Sequence, residues 1–252
     1  MGLAERIVYD LFLPDGIYSL WARDNGSPTE DGKLPGKNMY GTHPFYMAKA
    51  TDKKWFGVFT NLAAASDWWL TNDATTGQVT LKTWAAGGLG DVYFLFGDNP
   101  DTVTQMYHTA IVGNPVLTPQ WALGWNQCKW GYKNTTMLEW SVGNYSEAGI
   151  PLDGQWVDID YLDTYKDFTI DPTNFANLST FVDDLHSKNM KFVPIMDAGI
   201  AVAEDYPAYT EGRDANLFIK AGSDNKTDFV GAVWPGDAVY PDFTQPATVT
   251  WW

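Results

Sequence analysis

Several chemical features are scarce in this sequence of 252 residues. Cys128 is the only cysteine, which excludes an internal disulfide and a zinc site built on cysteine pairs. The histidines, at 43, 108 and 186, are far apart along the chain and show no metal-ligand spacing. The glycine fingerprints of phosphate-binding loops and dinucleotide-binding folds are also missing. We therefore expect no metal and no cofactor.

Positive charge is scarce as well. The 16 Lys and Arg residues stand against 31 Asp and Glu residues, which gives a net charge of −15. Such a chain repels phosphate groups, so we expect neither nucleic acid nor an anionic membrane surface as a partner. No apolar run is long enough to cross a bilayer.

Asparagine triplets of the glycosylation type are more frequent than expected. Chance gives roughly two Asn-x-Ser/Thr triplets at this composition, and an excess favours the secretory route, either lysosomal, vacuolar or extracellular. The alternative is that none of the triplets is used. They begin at Asn25, Asn134, Asn144, Asn177 and Asn225.

The most informative segment is WVDIDYLD at 156–163. On a β-strand, alternate side chains point the same way, which would place Trp156, Asp158 and Asp160 on one face. Acids on a buried face need partners, because unpaired buried charge is costly. That face then opens on a polar cavity, a metal or a sugar. The alternative is that both acids lie in turns after a very short strand.

The pattern along the chain changes near residues 113–119. Before that point, short apolar or alternating runs between Gly-containing turns predict strands at 7–13, 18–21, 45–48, 55–60, 79–84 and 92–96. This rhythm is typical of a β-sandwich over residues 1–112. Helical spacing follows at 101–111, and the prolines in 113–119 predict an extended linker.

Residues 120–252 show strands alternating with helices. The pattern predicts strands at 121–125, 155–160 and 191–196, and helices at 135–148 and 180–188. Such alternation favours a parallel sheet or a (β/α) barrel. Asp158 and Asp197 lie at the carboxyl ends of predicted strands, the edge where barrel enzymes carry their active sites.

Nine fragments in order resemble glycoside hydrolase family 31, the α-glucosidase family. They are QWALGW at 120–125, CKWGY at 128–132, GIPLD at 149–153, WVDIDYLD at 156–163, DFT at 167–169, DP at 171–172, Phe175, VWPG at 233–236 and PDF at 241–243. Upstream, GKNMYG at 36–41, WFGVF at 55–59 and IVGNP at 111–115 are similar too.

The resemblance implies an α/β plus all-β chain. Residues 1–112 would form a galactose-mutarotase-like β-sandwich, incomplete at its start, and residues 120–252 the first three βα units of a (β/α)8 TIM barrel. An oligosaccharide or α-glucoside is the implied partner. By resemblance, Asp158 binds the sugar, whereas Asp160 and Asp163 serve as supporting or turn residues. The implied substrate-binding residues are Asp158, Ile159, Ile195, Asp197, Trp234, Trp130, Arg23 and Asp24.

One expected motif is absent. The family cleaves glycosides with retention, which needs a nucleophile and an acid/base carboxylate roughly 5 Å apart. The Trp-Ile-Asp-Met-Asn-Glu type motif that carries the nucleophile does not occur, so the resemblance assigns no catalytic residue. We expect the chain to be an internal piece of a larger enzyme and inactive alone.

Two other functions remain open at this point. A carbohydrate-binding module without catalysis would keep the aromatic residues and Asp158 and would need no second carboxylate. A different carboxylate-rich barrel enzyme could hold Mg²⁺ with acids and waters, although histidine ligands are missing.

Overall fold

The computed structural model describes residues 1–6, 11–22, 38–50, 52–222 and 226–252. The chain divides into two compact units, Met1–Val116 and Leu117–Trp252. Each unit contains hydrophobic clusters of its own, so each can be described from its own packing.

The first unit consists of antiparallel strands followed by a helix. Its elements are β1 (Gly16–Leu20), β2 (Phe45–Lys49), β3 (Trp55–Asn61), β4 (Ser66–Asn72), β5 (Val79–Ala85), β6 (Asp91–Gly97) and α1 (Pro100–Tyr107). The strands form two three-stranded sheets, in the orders β1–β4–β5 and β2–β3–β6. A short π-helical segment, His108–Val112, continues α1.

Aromatic side chains fill the core of this unit. Tyr18 and Trp68 are paired across β1 and β4 and are both buried. Tyr46 of the other sheet packs edge-on against Trp68, with ring centroids 6.2 Å apart, so the two sheets share this cluster. Val103 and Tyr107 of α1 pack against a second cluster that includes Leu95 of β6.

The sequence predicted most of these elements. Strands at 18–21, 45–48, 55–60, 79–84 and 92–96 are confirmed within one or two residues at each end. Of the predicted strand at 7–13, residues 7–10 lie outside the described part, and residues 11–13 are not in a strand. The helix predicted at 101–111 is α-helical only to Tyr107.

The second unit begins with strand–helix alternation. Its elements are α2 (Gln120–Leu123), β7 (Asn126–Gln127), α3 (Thr135–Glu147), β8 (Gly154–Val157), α4 (Leu178–Ser187), β9 (Lys191–Pro194), β10 (Ile200–Ala201), α5 (Pro207–Asp214), β11 (Lys220–Ala221), β12 (Thr227–Asp228), β13 (Val230–Val233), β14 (Gly236–Val239) and α6 (Pro246–Trp251). Two 3-10 turns, Ile159–Tyr161 and Asp163–Tyr165, follow β8.

Strands β7, β8 and β9 form a parallel sheet in that order. Val157 of β8 is buried in the largest cluster with Leu138 of α3 and with Phe181 and Leu185 of α4. The helices therefore cover one face of the sheet. This arrangement confirms the predicted helices and the strands at 155–160 and 191–196, although both strands end earlier than predicted.

One prediction in this unit is wrong. Residues 121–125 were expected to form a strand, but Gln120–Leu123 is a helical turn and the strand lies at Asn126–Gln127. Pro119 in extended conformation precedes the turn, and Gln, Ala and Leu are good helix formers. Pro194, which removes a backbone donor, is the last residue of β9 on the edge of the described sheet, where proline is tolerated.

A small antiparallel sheet, in the order β10–β14–β13, follows the parallel strands. Its buried residues, among them Ile200 and Val239, share a cluster with Tyr206 and Phe218. Gly212 of α5 is required here, because a Cβ at that position would lie 2.4 Å from the Phe218 ring. This sheet lies next in sequence to the carboxyl end of β9.

Candidate functional site

The candidate site is at the carboxyl edge of the parallel sheet. Because β7, β8 and β9 run in the same direction, the residues that follow them emerge at one edge. Cys128 follows β7 directly, Asp158 follows β8, and Ile195 follows β9. The N–H group of Ile195 donates to the carbonyl oxygen of Val157 at 3.0 Å, which keeps the ends of β8 and β9 together.

Asp158 ends β8 and caps the 3-10 turn that follows. One of its carboxylate oxygens, Oδ1, accepts a hydrogen bond from the N–H group of Ile159 at 2.7 Å. The side chain is half-buried. The negative charge of Asp158 also acts on Cys128. Burial is the larger cause of the raised pKa of the Cys128 thiol, and the Asp158 carboxylate is the second cause. Asp158 and the exposed Cys128 therefore share one polar surface at this edge.

Asp160 has a different environment from Asp158. Its Oδ2 accepts from the N–H group of Gly131 at 2.7 Å, and its Oδ1 pairs with Lys133 Nζ at 2.6 Å. The Asp160 side chain is 3% exposed. The prediction that Asp160 shares a strand face with Asp158 is wrong, since β8 ends at Val157. The alternative, acids in turns after a short strand, is confirmed.

Asp160 also organises the loop that carries Trp130. Gly131, which donates to Asp160, has a φ of 101°, a conformation that favours glycine. Lys133 Nζ, the ion-pair partner of Asp160, lies 5.2 Å from the centre of the Trp130 ring. Trp130 itself is 67% exposed. The loop thus presents a large aromatic ring to solvent while a buried carboxylate holds its backbone.

Ile159 and Ile195 lie closer to the hydrophobic core than the sequence suggested. Ile159 is 8% exposed and belongs to the cluster between the sheet and its helices. Ile195 is half-buried and packs against the same cluster. Its carbonyl oxygen accepts from the hydroxyl group of Tyr161 at 3.0 Å. Both residues therefore join the carboxyl edge of the sheet to this hydrophobic cluster.

Asp197 lies three residues beyond the end of β9 and is half-buried. Its N–H group donates to Asp167 Oδ1 at 3.2 Å, and its own Oδ1 accepts from the N–H group of Gly199 at 3.1 Å. Its charge, after burial, raises the pKa of Tyr240. Sequence reasoning did not single out Asp167 or Tyr240, although Asp167 belongs to the DFT fragment.

Trp234 lies in the turn between β13 and β14 and is 51% exposed. The hairpin packs against the segment after β9, since a Cβ on Gly199 would lie only 2.6 Å from Val233 Cγ2. Tyr240 directly follows β14 of the same hairpin, and the charge of Asp197 helps to raise its pKa. Trp234 is therefore carried by an element that contacts the 197–199 segment.

Two predicted site residues, Arg23 and Asp24, lie outside the described residues. Within the described ranges, no group of three or more His, Cys, Asp or Glu side chains is arranged to hold a metal ion. None of the helices in these ranges is both long and apolar enough to cross a membrane.

Comparison with known proteins identifies the family. Residues 115–252 match the model of the glycosyl hydrolases family 31 TIM-barrel domain. The chain belongs to glycosyl hydrolase family 31. This match confirms the resemblance carried by the sequence fragments, and it covers the predicted site residues other than Arg23 and Asp24.

Individual family 31 proteins are similar over nearly the whole chain. An alpha-glucosidase from Hordeum vulgare is 39% identical over 93% of this chain and 26% of its own length. The lysosomal alpha-glucosidase of Mus musculus is 36% identical over 100% of this chain and 25% of its own. The chain thus spans about a quarter of these relatives. A crystal structure of a family 31 alpha-glucosidase from Bacteroides thetaiotaomicron superposes with a TM-score of 0.83, at 29% identity, over 100% of this chain and 40% of that one.

Proposed function

We propose that the chain binds the terminal sugar of an α-glucoside or oligosaccharide, as part of a retaining glycosidase. The observation that carries this proposal is the half-buried carboxylate of Asp158 at the carboxyl end of β8, in a chain of family 31. Its Oδ1 is used by the N–H group of Ile159. In the described part of the chain, no hydrogen bond reaches Oδ2, which leaves this oxygen for a sugar hydroxyl.

The surrounding residues suit a sugar. Trp130 and Trp234 are exposed aromatic rings on loops at the same end of the sheet, and rings of this kind pack against the apolar faces of sugars. Asp197 adds a second half-buried carboxylate. Ile159 and Ile195 complete the proposed set, since they pack in or against the hydrophobic cluster next to the sheet edge. Arg23 and Asp24 are proposed on the family resemblance alone.

The reaction itself needs two carboxylates that we assign to no residue of this chain. Retaining glycosidases place a nucleophile and an acid/base roughly 5 Å apart, and the family's nucleophile motif is not found among the 252 residues. Asp158 is a binding residue in this proposal. The catalytic chemistry belongs to the larger protein of which this chain covers a part.

The proposed architecture follows the same comparison. Residues 1–112 are proposed as a galactose-mutarotase-like β-sandwich, supported by the two antiparallel sheets that share the Tyr46–Trp68 cluster. Residues 120–252 are proposed as the first three βα units of a (β/α)8 barrel, supported by the parallel order β7–β8–β9. Residues 113–119 link them.

A location on the secretory route is proposed as well. The lysosomal relative from Mus musculus supports it, as do the Asn-x-Ser/Thr triplets. Among the described triplets, Asn144 and Asn177 are exposed, so an attached glycan has room there.

Sugar binding tests the proposal. Titrate the 252-residue chain with maltose and follow tryptophan fluorescence or heat. A buried hydrogen bond to a charged group is worth roughly 1.5–3 kcal/mol, and each tenfold change is about 1.4 kcal/mol. Asp158→Asn should therefore weaken binding roughly ten- to a hundredfold.

Asp183→Asn is the matched control, because Asp183 is exposed on α4 and does not belong to the proposed sugar-binding set. Melting temperatures of both variants separate binding defects from folding defects. Equal affinities for the two variants, or no maltose binding by the folded wild type, would refute the assignment of Asp158. Maltose hydrolysis by the purified chain would show that the catalytic part of the proposal is wrong.

A further inference from the structure

Asp167 is a buried carboxylic acid outside the proposed sugar-binding set. It lies in the irregular segment between the second 3-10 turn and α4, and it is 1% exposed. Its Oδ1 accepts a hydrogen bond from the N–H group of Asp197 at 3.2 Å. Its main-chain carbonyl oxygen accepts from the hydroxyl group of Tyr206 at 2.7 Å. Asp167 is thus fixed by its backbone and aimed at the end of β9.

The backbone of Asp197 needs an acceptor from outside the sheet. In this parallel sheet, alternate N–H groups along β9 donate to β8, and the last such bond runs from Ile195 to Val157. Beyond Val157 the chain leaves the strand direction and forms a 3-10 turn. No strand partner therefore remains for the N–H group of Asp197, and the Asp167 carboxyl group takes that place.

We propose that Asp167 is the positioning residue that holds the backbone of Asp197 at the sugar-facing end of β9. Tyr161 supports the same segment, because its hydroxyl group donates to the carbonyl oxygen of Ile195. This inference rests on the proposed function, in which Asp197 contacts sugar. Asp167 acts through Asp197 and touches no substrate itself.

The environment of Asp167 makes its protonation state observable. Its second oxygen, Oδ2, is buried without a partner among the described residues. The groups that face it are the Asp197 carboxylate and the hydroxyls of Tyr161 and Tyr206, while Lys166 Nζ stacks over the Tyr206 ring at 5.9 Å. Burial first, and then the charge of Asp197, raise the pKa of Asp167 to about 6, against the opposing effect of the Asp197 N–H bond.

Backbone NMR of the whole chain tests the hydrogen bond directly. An amide that donates to a carboxyl group changes its chemical shift when that group titrates. We expect the Asp197 amide of the wild type to titrate with a midpoint near the pKa of Asp167, about 6. The Asp167 carboxyl carbon, followed in the same samples, should show the same midpoint, and this measurement needs no variant.

Asp167→Asn is the test variant, since asparagine keeps an acceptor oxygen but does not titrate. The step near pH 6 at the Asp197 amide should vanish in this variant. Asp171→Asn is the matched control: Asp171 lies in the same segment and also accepts backbone N–H groups, from Thr173 and Asn174. A step that persists in Asp167→Asn, or that is absent from the wild type while the Asp167 carbon titrates, would overturn the proposal.

Maltose binding then tests the consequence for the site. Asp167→Ala should weaken binding at least threefold, while Asp167→Asn should restore wild-type affinity because it keeps the acceptor. Equal affinity of the alanine variant and the wild type would refute the positioning role. If the wild type binds no maltose, the proposed function fails, whereas the NMR titration still decides whether Asp167 holds Asp197.

Discussion

The thiol of Cys128 should report the charge of Asp158. The Asp158 carboxylate helps to raise the pKa of Cys128, and Cys128 is exposed and is the only thiol in the chain. Thiolate is the reactive form of cysteine, so a higher pKa slows its alkylation at neutral pH. Asp158→Asn removes the charge with little change in shape. We therefore predict that this variant reacts faster with a thiol reagent than the wild type.

The expected change in labelling rate depends on how exposed Asp158 and Cys128 are. Interactions between partly exposed charges are typically about 0.2–1 kcal/mol, which corresponds to roughly 1.4- to 5-fold more thiolate below the pKa. A thiolate of lower pKa is also less nucleophilic, with a Brønsted coefficient of about 0.4–0.5. Combining the two, the labelling rate at neutral pH should rise by roughly 1.2- to 2.5-fold.

The assay is the rate of labelling by an uncharged alkylating reagent, measured across pH for both proteins. The midpoint of the pH–rate profile should lie lower in Asp158→Asn, and added salt should shrink the difference, because salt screens exposed charges. Asp183→Asn, with its substitution on α4, should match the wild type. An unchanged midpoint in Asp158→Asn would show that its carboxylate does not face the end of β7.

Two further predictions concern stability. Folding raises the pKa of Asp167 from 3.8 to about 6. Between pH 3.8 and about pH 6 the folded chain therefore binds more protons than the unfolded chain, and the free energy of unfolding falls as pH rises through this range. Asp167→Asn should therefore gain up to roughly 2–3 kcal/mol relative to the wild type between pH 4 and pH 7 in chemical denaturation, and a difference independent of pH would contradict this. Asp160→Ala should cost roughly 1.5–3 kcal/mol, because Gly131 and Lys133 lose a charged partner. Asp163→Ala, at a half-buried acid nearby, should cost less than about 0.5 kcal/mol, and equal costs would refute the role of Asp160.

Alternating residues or a continuous apolar run predicted the strands, and a strand that shows neither pattern clearly was missed. In β6 the apolar run at 92–96 marked a strand, and in β8 the exposed Trp156 and the buried Val157 point to opposite faces as expected. Strand β4, Ser66–Asn72, was missed. It carries Trp residues at both 68 and 69, one on each face, so its sequence shows no alternation.

The sequence predicted site residues from their positions at the ends of individual strands, but it did not predict contacts between segments that are distant in sequence. The sequence placed Asp158 at the end of a strand, and the structure does so. It did not reveal that Asp160 pairs with Lys133 or that Asp167 accepts from Asp197, because these partners are 27 and 30 residues apart. Asp158 also bonds the next backbone N–H group, and such local bonds compete with strand pairing. Strand β8 therefore ends at Val157, although the alternating sequence pattern predicted that it would continue to Asp160.

The acids that follow β8 can be ranked as sugar ligands by what already occupies their oxygens. Both oxygens of Asp160 are engaged, by Gly131 and Lys133, and the side chain is almost fully buried. Asp167 has a free oxygen, but it is buried where no sugar reaches it. Asp158 alone of the three is half-buried and bonded through one oxygen only. Because a ligand for a hydroxyl group must be both accessible and unpaired, the geometry favours Asp158 over Asp160 and Asp167. Asp163 is half-buried as well, and the family motif is what places the sugar-binding role on Asp158 instead.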